Sequence, residues 1–134
     1  MNFTLNNTQI GDILLYQLSS GVWADTTVDL EDLKYLENKP EDFKKNHKPI
    51  KLNHDVLTQF QYKQVTSNTD NYYAHLKSDF RIRTNCGKYS LCIDHDDTAT
   101  IHFFHTFEFL HELQQIFRVL EKSELVEFYV GKTS

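Results

Sequence analysis

The chain has 134 residues, 40% of them hydrophobic and 25% charged, and a formal net charge of −5. This length fits one domain, which buries on the order of two-thirds of the surface that its unfolded chain exposes. Two prolines and four glycines are too few for a disordered chain. The mildly acidic balance argues against a protein that coats DNA through counterion release, but it is compatible with a local basic patch.

The sequence contains no apolar run of the roughly 18 residues that a membrane-spanning helix needs. Its first residues lack the basic start and apolar centre of a signal peptide. Both observations predict a cytoplasmic protein without membrane partners. In that reducing compartment the two cysteines, Cys86 and Cys92, are expected to remain thiols.

The first 48 residues predict a hairpin, a short helix and a polar loop. Two runs of strand length, 13–18 and 22–28, flank a Ser-Ser-Gly turn and form the hairpin. Leucines then recur at helical spacing up to residue 36, with Asp29 as the N-cap. Residues 37–49 mix charges of both signs around two prolines, which predicts a surface loop.

Residues 49–134 predict a sheet covered by a helix. Asn53 caps a short helix that ends at Phe60, and a polar turn follows at 66–71. Four strand-like runs joined by short connections then favour an antiparallel meander: 72–77, 80–84, 89–94 and 98–104. A helix capped by Thr106 and running to about residue 121 carries apolar residues at helical spacing, and 125–130 adds an edge strand.

The predicted fold class is α+β: an antiparallel β-meander packed by a C-terminal amphipathic helix, with an N-terminal hairpin and short helices, in one domain of residues 1–134. Alternation along the strands assigns a core face to the following apolar residues: Tyr72, Ala74, Leu76, Phe80, Ile82, Tyr89, Leu91, Ile93, Ala99, Ile101 and Phe103. The C-terminal helix is expected to lie across this face.

The opposite face of the meander is the candidate binding site. Alternation places a tyrosine beside several basic side chains there: Tyr73, His75, Lys77, Arg81 and Arg83, with Lys88 at the end. Arginine binds phosphate or carboxylate through two parallel hydrogen bonds, and a tyrosine can stack on a base. The pattern favours a surface for RNA or for an acidic protein patch. It is also the pattern of an ordinary solvated sheet face with cross-strand charge pairs.

Histidines and acidic residues near the last strands raise a second possibility, a zinc site. Its ligands would come from His102, His105 and His111 with the Asp-rich run 94–97. The spacing matches no established zinc motif, and Asp is favoured in turns because its side chain bonds the local backbone. The sequence also lacks a phosphate-binding glycine loop and a nucleophile motif. We therefore predict no metal, no cofactor and no catalytic residues.

The C-terminal helix region has the opposite charge from the candidate face. Five glutamates outnumber its two basic residues: Glu108, Glu112, Glu121, Glu124 and Glu127 against Arg118 and Lys122. Such polarity suits docking on a nucleoprotein, where one face meets protein lysines and the other meets RNA. A helix with a solvated face has the same composition.

Several segments together resemble an uncharacterised family of small phage- and prophage-associated proteins of Bacteroidota. The segments are QIGD at 9–12, PIKL at 49–52, LTQF at 57–60, FLHELQQIF at 109–117 and EL at 124–125. The sequence departs from the family at 60–62, where the family has Gly-Phe, and at 121–123, where it has Thr-Gly. The family supplies no functional residues, so the resemblance implies context alone, namely an accessory protein of a mobile element.

That context leads to our functional hypothesis. A small accessory protein of this kind is expected to be a non-enzymatic inhibitor of a host defence system, acting in the host cytoplasm. The expected target is an RNA-guided nuclease of the type VI CRISPR class, bound through protein, guide RNA or both, which makes the chain an anti-CRISPR protein. The alternatives are a sponge that sequesters a small anionic nucleotide signal, a metal-dependent hydrolase, and a structural part of a virion.

Overall fold

The computed structural model describes residues 7–66, 71–85, 87–95 and 99–130. They form two compact units: residues up to 51 with 109–115, and residues 52–108 with those from 116 onward. The elements are, in chain order, β1 (Ile13–Gln17), β2 (Trp23–Thr27), α1 (Leu30–Asn38), α2 (Pro40–Asn46), β3 (His47–Pro49), α3 (His54–Gln59), β4 (Tyr62–Thr66), β5 (Asn71–His75), β6 (Arg81–Asn85), β7 (Lys88–His95), β8 (Ala99–Phe107), α4 (Leu110–Glu121) and a 3-10 helix (Leu125–Phe128). Helices with antiparallel sheets confirm the α+β class.

The first unit contains the predicted hairpin. Strands β1 and β2 pair antiparallel, and β3 joins on the other side of β1, so the sheet order is β2-β1-β3. Helix α1 starts as predicted, because the Asp29 carboxylate accepts a hydrogen bond from the Asp32 N–H at 2.9 Å. The Asp32 carboxylate accepts one from the Asp29 N–H in return, which completes a capping box.

The predicted loop at 37–49 is wrong: this stretch forms α2 and β3. Pro40 is the first residue of α2, a position where the missing N–H costs nothing, so the proline starts a helix here. Phe43 is fully buried and belongs to the core of this unit, together with Leu14, Val28 and Leu36. The one apolar side chain of α2 is thus buried in the core of this unit.

The first half of α4 also belongs to this unit and is held by side-chain amides. The buried Gln114 Oε1 accepts a hydrogen bond from the Ile13 N–H at 2.7 Å, and its Nε2 donates to the Gly11 carbonyl at 3.0 Å. Gln115 Nε2 donates to the Asp12 carboxylate at 2.8 Å. These bonds satisfy backbone groups of Gly11 and Ile13 at the start of β1.

The second unit contains the predicted meander with one additional strand. Its five strands follow in the order β4-β5-β6-β7-β8, and each neighbouring pair is antiparallel. Strand β4 was missed because its sequence, YKQVT, has few apolar residues. The buried apolar side chains of this unit are Leu52, Leu57, Phe60, Tyr62, Tyr73, Ile82, Tyr89, Cys92, Phe107, Phe117 and Leu125.

From residue 53 onward, one predicted boundary agrees with the structure and two predictions differ from it. Asn53 caps α3 as predicted and accepts from the Val56 N–H at 2.8 Å. Thr106 lies inside β8, so α4 begins at Leu110, three residues after the start that a Thr106 N-cap predicts. The predicted edge strand at 125–130 is wrong, because residues 125–128 form the 3-10 helix and the Val130 N–H bonds the Gln59 carbonyl at 2.8 Å.

Candidate functional site

The register of the five-stranded sheet decides which side chains share a face. Residues directly opposite each other in an antiparallel pair point to the same side of the sheet. Between β5 and β6, Tyr72 is opposite Arg83, and Tyr73 is opposite Ile82. Ile82 is buried. The arginines therefore share their face with Tyr72, and Tyr73 lies on the buried face.

The predicted surface positions of Tyr73 and His75 are wrong. Their exposed fractions are 6% and 4%. The Tyr73 hydroxyl is 3.0 Å from Nδ1 of His54, and burial raises the pKa of this tyrosine. A side chain in this position stabilises the fold and is not available to stack on a ligand.

His75 has a structural role that fixes its protonation state. Its Nδ1 accepts a hydrogen bond from the Lys77 N–H at 3.1 Å, so the ring proton sits on Nε2, which donates to the Phe60 carbonyl at 3.0 Å. Burial lowers the pKa of His75, against opposing effects of the Phe60 hydrogen bond and of Glu121. Three aromatic rings lie within 5.2 Å of its own: Tyr62, Phe117 and Phe128. His75 is thus a neutral core residue.

The predicted core face is inverted along β5. Tyr72 and Ala74, predicted to be in the core, lie on the face of the arginines. Leu76 is in the turn after β5 and is 91% exposed. Lys77, a predicted site residue, is exposed in the same turn, and nothing in this turn brings it onto the face of the arginines.

The arginines do lie together, on a surface that we call the cation–aromatic face: Lys63, Tyr72, Arg81, Arg83 and Lys88. Arg81 and Arg83 are two residues apart on β6 and are both partly buried. The Arg81 guanidinium lies 4.4 Å from the centroid of the Tyr72 ring. That distance is within the range of a cation–π interaction, which holds both planar groups in place.

Lysines from two other strands complete this face. Lys63 of β4 is opposite Ala74, which in turn is opposite Arg81. Lys88 is the first residue of β7 and lies two residues before Ser90, so the two side chains share a face. Ser90 is opposite Arg83. The Lys88 ammonium is 3.9 Å from the Glu108 carboxylate, so the end of the face is partly neutralised. Lys63 was not predicted, because the sequence analysis assigns no strand to residues 62–66.

The polar neighbours of the face are small. Ser90 lies between Arg83 and Thr106 in the strand pairing, and Thr106 is exposed. Cys92 is opposite Arg81 and is fully buried. The face therefore combines two partly buried arginines and an aromatic ring with hydroxyl groups on one side and a fully buried thiol opposite Arg81. This arrangement can bind phosphate through guanidinium forks and planar groups through stacking.

Several of the glutamates that were predicted to make the C-terminal helix region acidic are engaged in local contacts. Glu112 accepts from the Phe109 N–H at 3.2 Å, at the start of α4. Arg118 Nε donates to both carboxylate oxygens of Glu124, at 2.9 and 2.7 Å. With Glu108 beside Lys88, three of the five glutamates have a structural partner. The acidic side is therefore a weaker docking feature than the sequence implied.

The predicted zinc ligands cannot be assembled from the described residues. The side chains of His95, His102, His105 and the Asp run lie outside the part of the structure described. His111 is fully buried, with its ring stacked 6.1 Å from that of Phe109. Across the described residues, no group of three or more His, Cys, Asp or Glu could hold a metal ion. The metal-dependent hydrolase stays a prediction.

Comparison with known proteins adds no relative. No protein-family model, curated protein or solved structure matches this chain. The resemblance to the phage-associated family therefore stays a prediction from sequence. Over the described part of the chain, no helix is both long and apolar enough to cross a lipid bilayer.

Proposed function

We propose that the protein is a non-enzymatic binding protein that docks on a nucleoprotein through its cation–aromatic face. The observation that carries this proposal is the grouping of Lys63, Arg81 and Arg83 on one sheet surface, with the Tyr72 ring against the Arg81 guanidinium. Arginine is favoured for recognition of phosphate because its fork makes two parallel hydrogen bonds. A cationic surface of this kind also concentrates an anionic partner near an otherwise acidic protein.

The nature of the target rests on the sequence resemblance. An accessory protein of a phage or prophage would meet the defence complexes of its host in the cytoplasm. We propose that the target is such a complex, with an RNA-guided RNA nuclease of the type VI CRISPR class as the first candidate. On this proposal the sheet face contacts the RNA of the complex, and the protein acts as an anti-CRISPR inhibitor.

The test uses the purified nuclease loaded with its guide RNA, and it compares two double variants of equal charge change. Arg81→Glu with Arg83→Glu reverses the face. Lys39→Glu with Lys45→Glu, two exposed lysines of the other unit, is the control. We expect binding, measured by biolayer interferometry, to weaken at least tenfold for the arginine variant only, because two charge-assisted contacts become repulsive.

The wild type and the two double variants should rank in the same order for inhibition of target-RNA cleavage as for binding. Since both arginines are partly buried, Arg81→Gln with Arg83→Gln provides a milder second variant, and circular dichroism checks the fold of each. A correctly folded arginine variant that binds and inhibits like the wild type would remove this face from the mechanism. A wild-type protein that neither binds nor inhibits the loaded nuclease would rule out that target.

A further inference from the structure

The three-stranded sheet of the first unit is packed by α2 on one of its two faces. Leu14 is fully buried on that face, and the ring of His47 is stacked on the Phe43 ring of α2 with 3.8 Å between centroids. Successive residues of a strand point to opposite sides of a sheet. Leu15 and Lys48, which follow Leu14 and His47 along the chain, therefore lie on the other face.

We call this other face the Trp–Lys face, and the strand register assigns its members. Asp25 is opposite Leu15, and Leu15 is opposite Lys48, so these three form one row across β2, β1 and β3. Trp23 and Gln17 form the next row. The members are Ile13, Leu15, Gln17, Trp23, Asp25, Thr27 and Lys48. Asp25, Thr27 and Lys48 are exposed, and the other members are half-buried, so the face is open to a partner.

A cation–π contact orders two of the side chains on this face. The Lys48 ammonium lies 4.3 Å from the centroid of the Trp23 ring, which is within the range of such an interaction. Because Trp23 and Lys48 belong to the strands on either side of β1, the contact spans the central strand. Side chains that are already ordered lose less freedom when a partner binds, and tryptophan is enriched among the residues that dominate binding at protein interfaces.

The charges of the Trp–Lys face are arranged so that the face complements itself. Asp25 and Lys48 are its charged members, and they lie one strand away from Leu15 on opposite sides. Their charges cancel, so this face does not favour a polyanion such as RNA. A second copy that is rotated by a half-turn about an axis parallel to β1 brings Asp25 of each copy to Lys48 of the other. Leu15 then faces Leu15, as an isologous two-fold interface requires.

We infer that the Trp–Lys face is the interface of a homodimer, closed by two Asp25–Lys48 ion pairs around a centre of Leu15 and Trp23. Three strands of five residues cover an area of about 14 Å by 17 Å. That area is smaller than the roughly 800 Å² per partner of a standard interface, so the dimer is weak and forms at high protein concentration. The dimer belongs to the first unit and does not depend on the proposed function, which uses the sheet of the second unit.

Two single charge reversals test this interface in the full-length protein. Asp25→Lys leaves two cations on the face, and Lys48→Glu leaves two anions. Each variant alone converts two attractive contacts of the dimer into two repulsive ones, which should weaken dimerisation by about tenfold or more. An equimolar mixture should restore the dimer, because the heterodimer regains two pairs of opposite charge. The matched control is Asp42→Lys with Lys45→Glu as its counterpart, both exposed on α2.

Sedimentation equilibrium between about 10 µM and about 1 mM protein measures the affinities, and circular dichroism checks the fold of each variant. We expect a dimer for the wild type, for both control variants and for the mixture, and a monomer for each reversal alone. The wild-type dimer should also weaken as salt rises from about 0.05 to about 0.5 M, a measurement that needs no variant.

Four results would overturn the inference. A wild type that stays monomeric leaves the Trp–Lys face to a different protein. Reversal variants that dimerise like the wild type place the interface elsewhere. A mixture of correctly folded variants that stays monomeric contradicts the pairing of Asp25 with Lys48, and a wild-type dimer that is insensitive to salt contradicts the ion pairs.

Discussion

Lowering the pH below about 6.5 should destabilise this protein through three buried histidines, His47, His75 and His111. Burial lowers the pKa of each of them. His47 is stacked on Phe43 with 3.8 Å between ring centroids, and its Nδ1 donates to the Phe43 carbonyl at 3.1 Å. His75 has a more specific reason to stay neutral, because its Nδ1 accepts a backbone N–H and cannot also carry a proton.

The sign and the size of the effect follow from proton counting. A histidine in the unfolded chain is protonated below a pKa of about 6.5, whereas in the folded state burial disfavours the protonated form of all three. The unfolded state therefore binds more protons, and the free energy of unfolding falls as the pH falls. The slope for each histidine approaches about 1.4 kcal/mol per pH unit only about one unit below pH 6.5. The loss between about pH 7.5 and pH 5.5 is therefore at most about 1.4 kcal/mol for each histidine, or about 4 kcal/mol for three.

Urea unfolding between about pH 7.5 and pH 5.5 measures this slope, with the m-value checking that the transition stays two-state. The His75→Gln variant removes one titrating group and keeps a side-chain N–H that can donate to the Phe60 carbonyl. Between these two pH values the variant should lose less stability than the wild type, by up to about 1.4 kcal/mol. Stability that is constant or rises from pH 6.5 to pH 5.5, or a His75→Gln slope equal to that of the wild type, would refute the argument.

Two substitutions test the first unit. Phe43→Ala should lower the free energy of unfolding by about 3–5 kcal/mol, because Phe43 is fully buried, whereas Lys45→Ala on the exposed side of α2 should change it by less than about 0.5 kcal/mol. Gln114→Leu should cost about 2–4 kcal/mol, since it leaves the Ile13 N–H and the Gly11 carbonyl without their side-chain partner. Chemical denaturation measures both, and a Phe43→Ala loss near that of Lys45→Ala would contradict the core assignment.

Periodic and capped segments were predictable from the sequence. The hairpin of β1 and β2 has apolar runs on both sides of a Gly turn, and Asp29 and Asn53 each precede a helix and cap it. Local chemistry determines these features, so a single sequence suffices. The amphipathic pattern of α4 was equally clear, but its start was displaced to Leu110, because β8 continues through Thr106 to Phe107.

Segments whose structure depends on tertiary contacts were not predictable. Helix α2 has one apolar anchor, Phe43, and its burial depends on the side chains that close around it. Strand β4 has alternating polar residues, and its pairing with β5 is what makes it a strand. The Gln114 contacts join positions about a hundred residues apart, so no local pattern indicates them.

The candidate site shows how a shift of one residue changes a functional prediction. On β6 the arginines flank Ile82, which has to face the core, so their common face follows from the sequence alone. On β5 the doublet Tyr72–Tyr73 fits either face equally well. The choice is made by β4, where the buried Tyr62 is opposite His75 and fixes the register. The binding hypothesis thus keeps Arg81 and Arg83, and Tyr72 replaces Tyr73 as its aromatic residue. Because the Tyr72 ring lies against Arg81, stacking is a more specific expectation than it was from the sequence pattern.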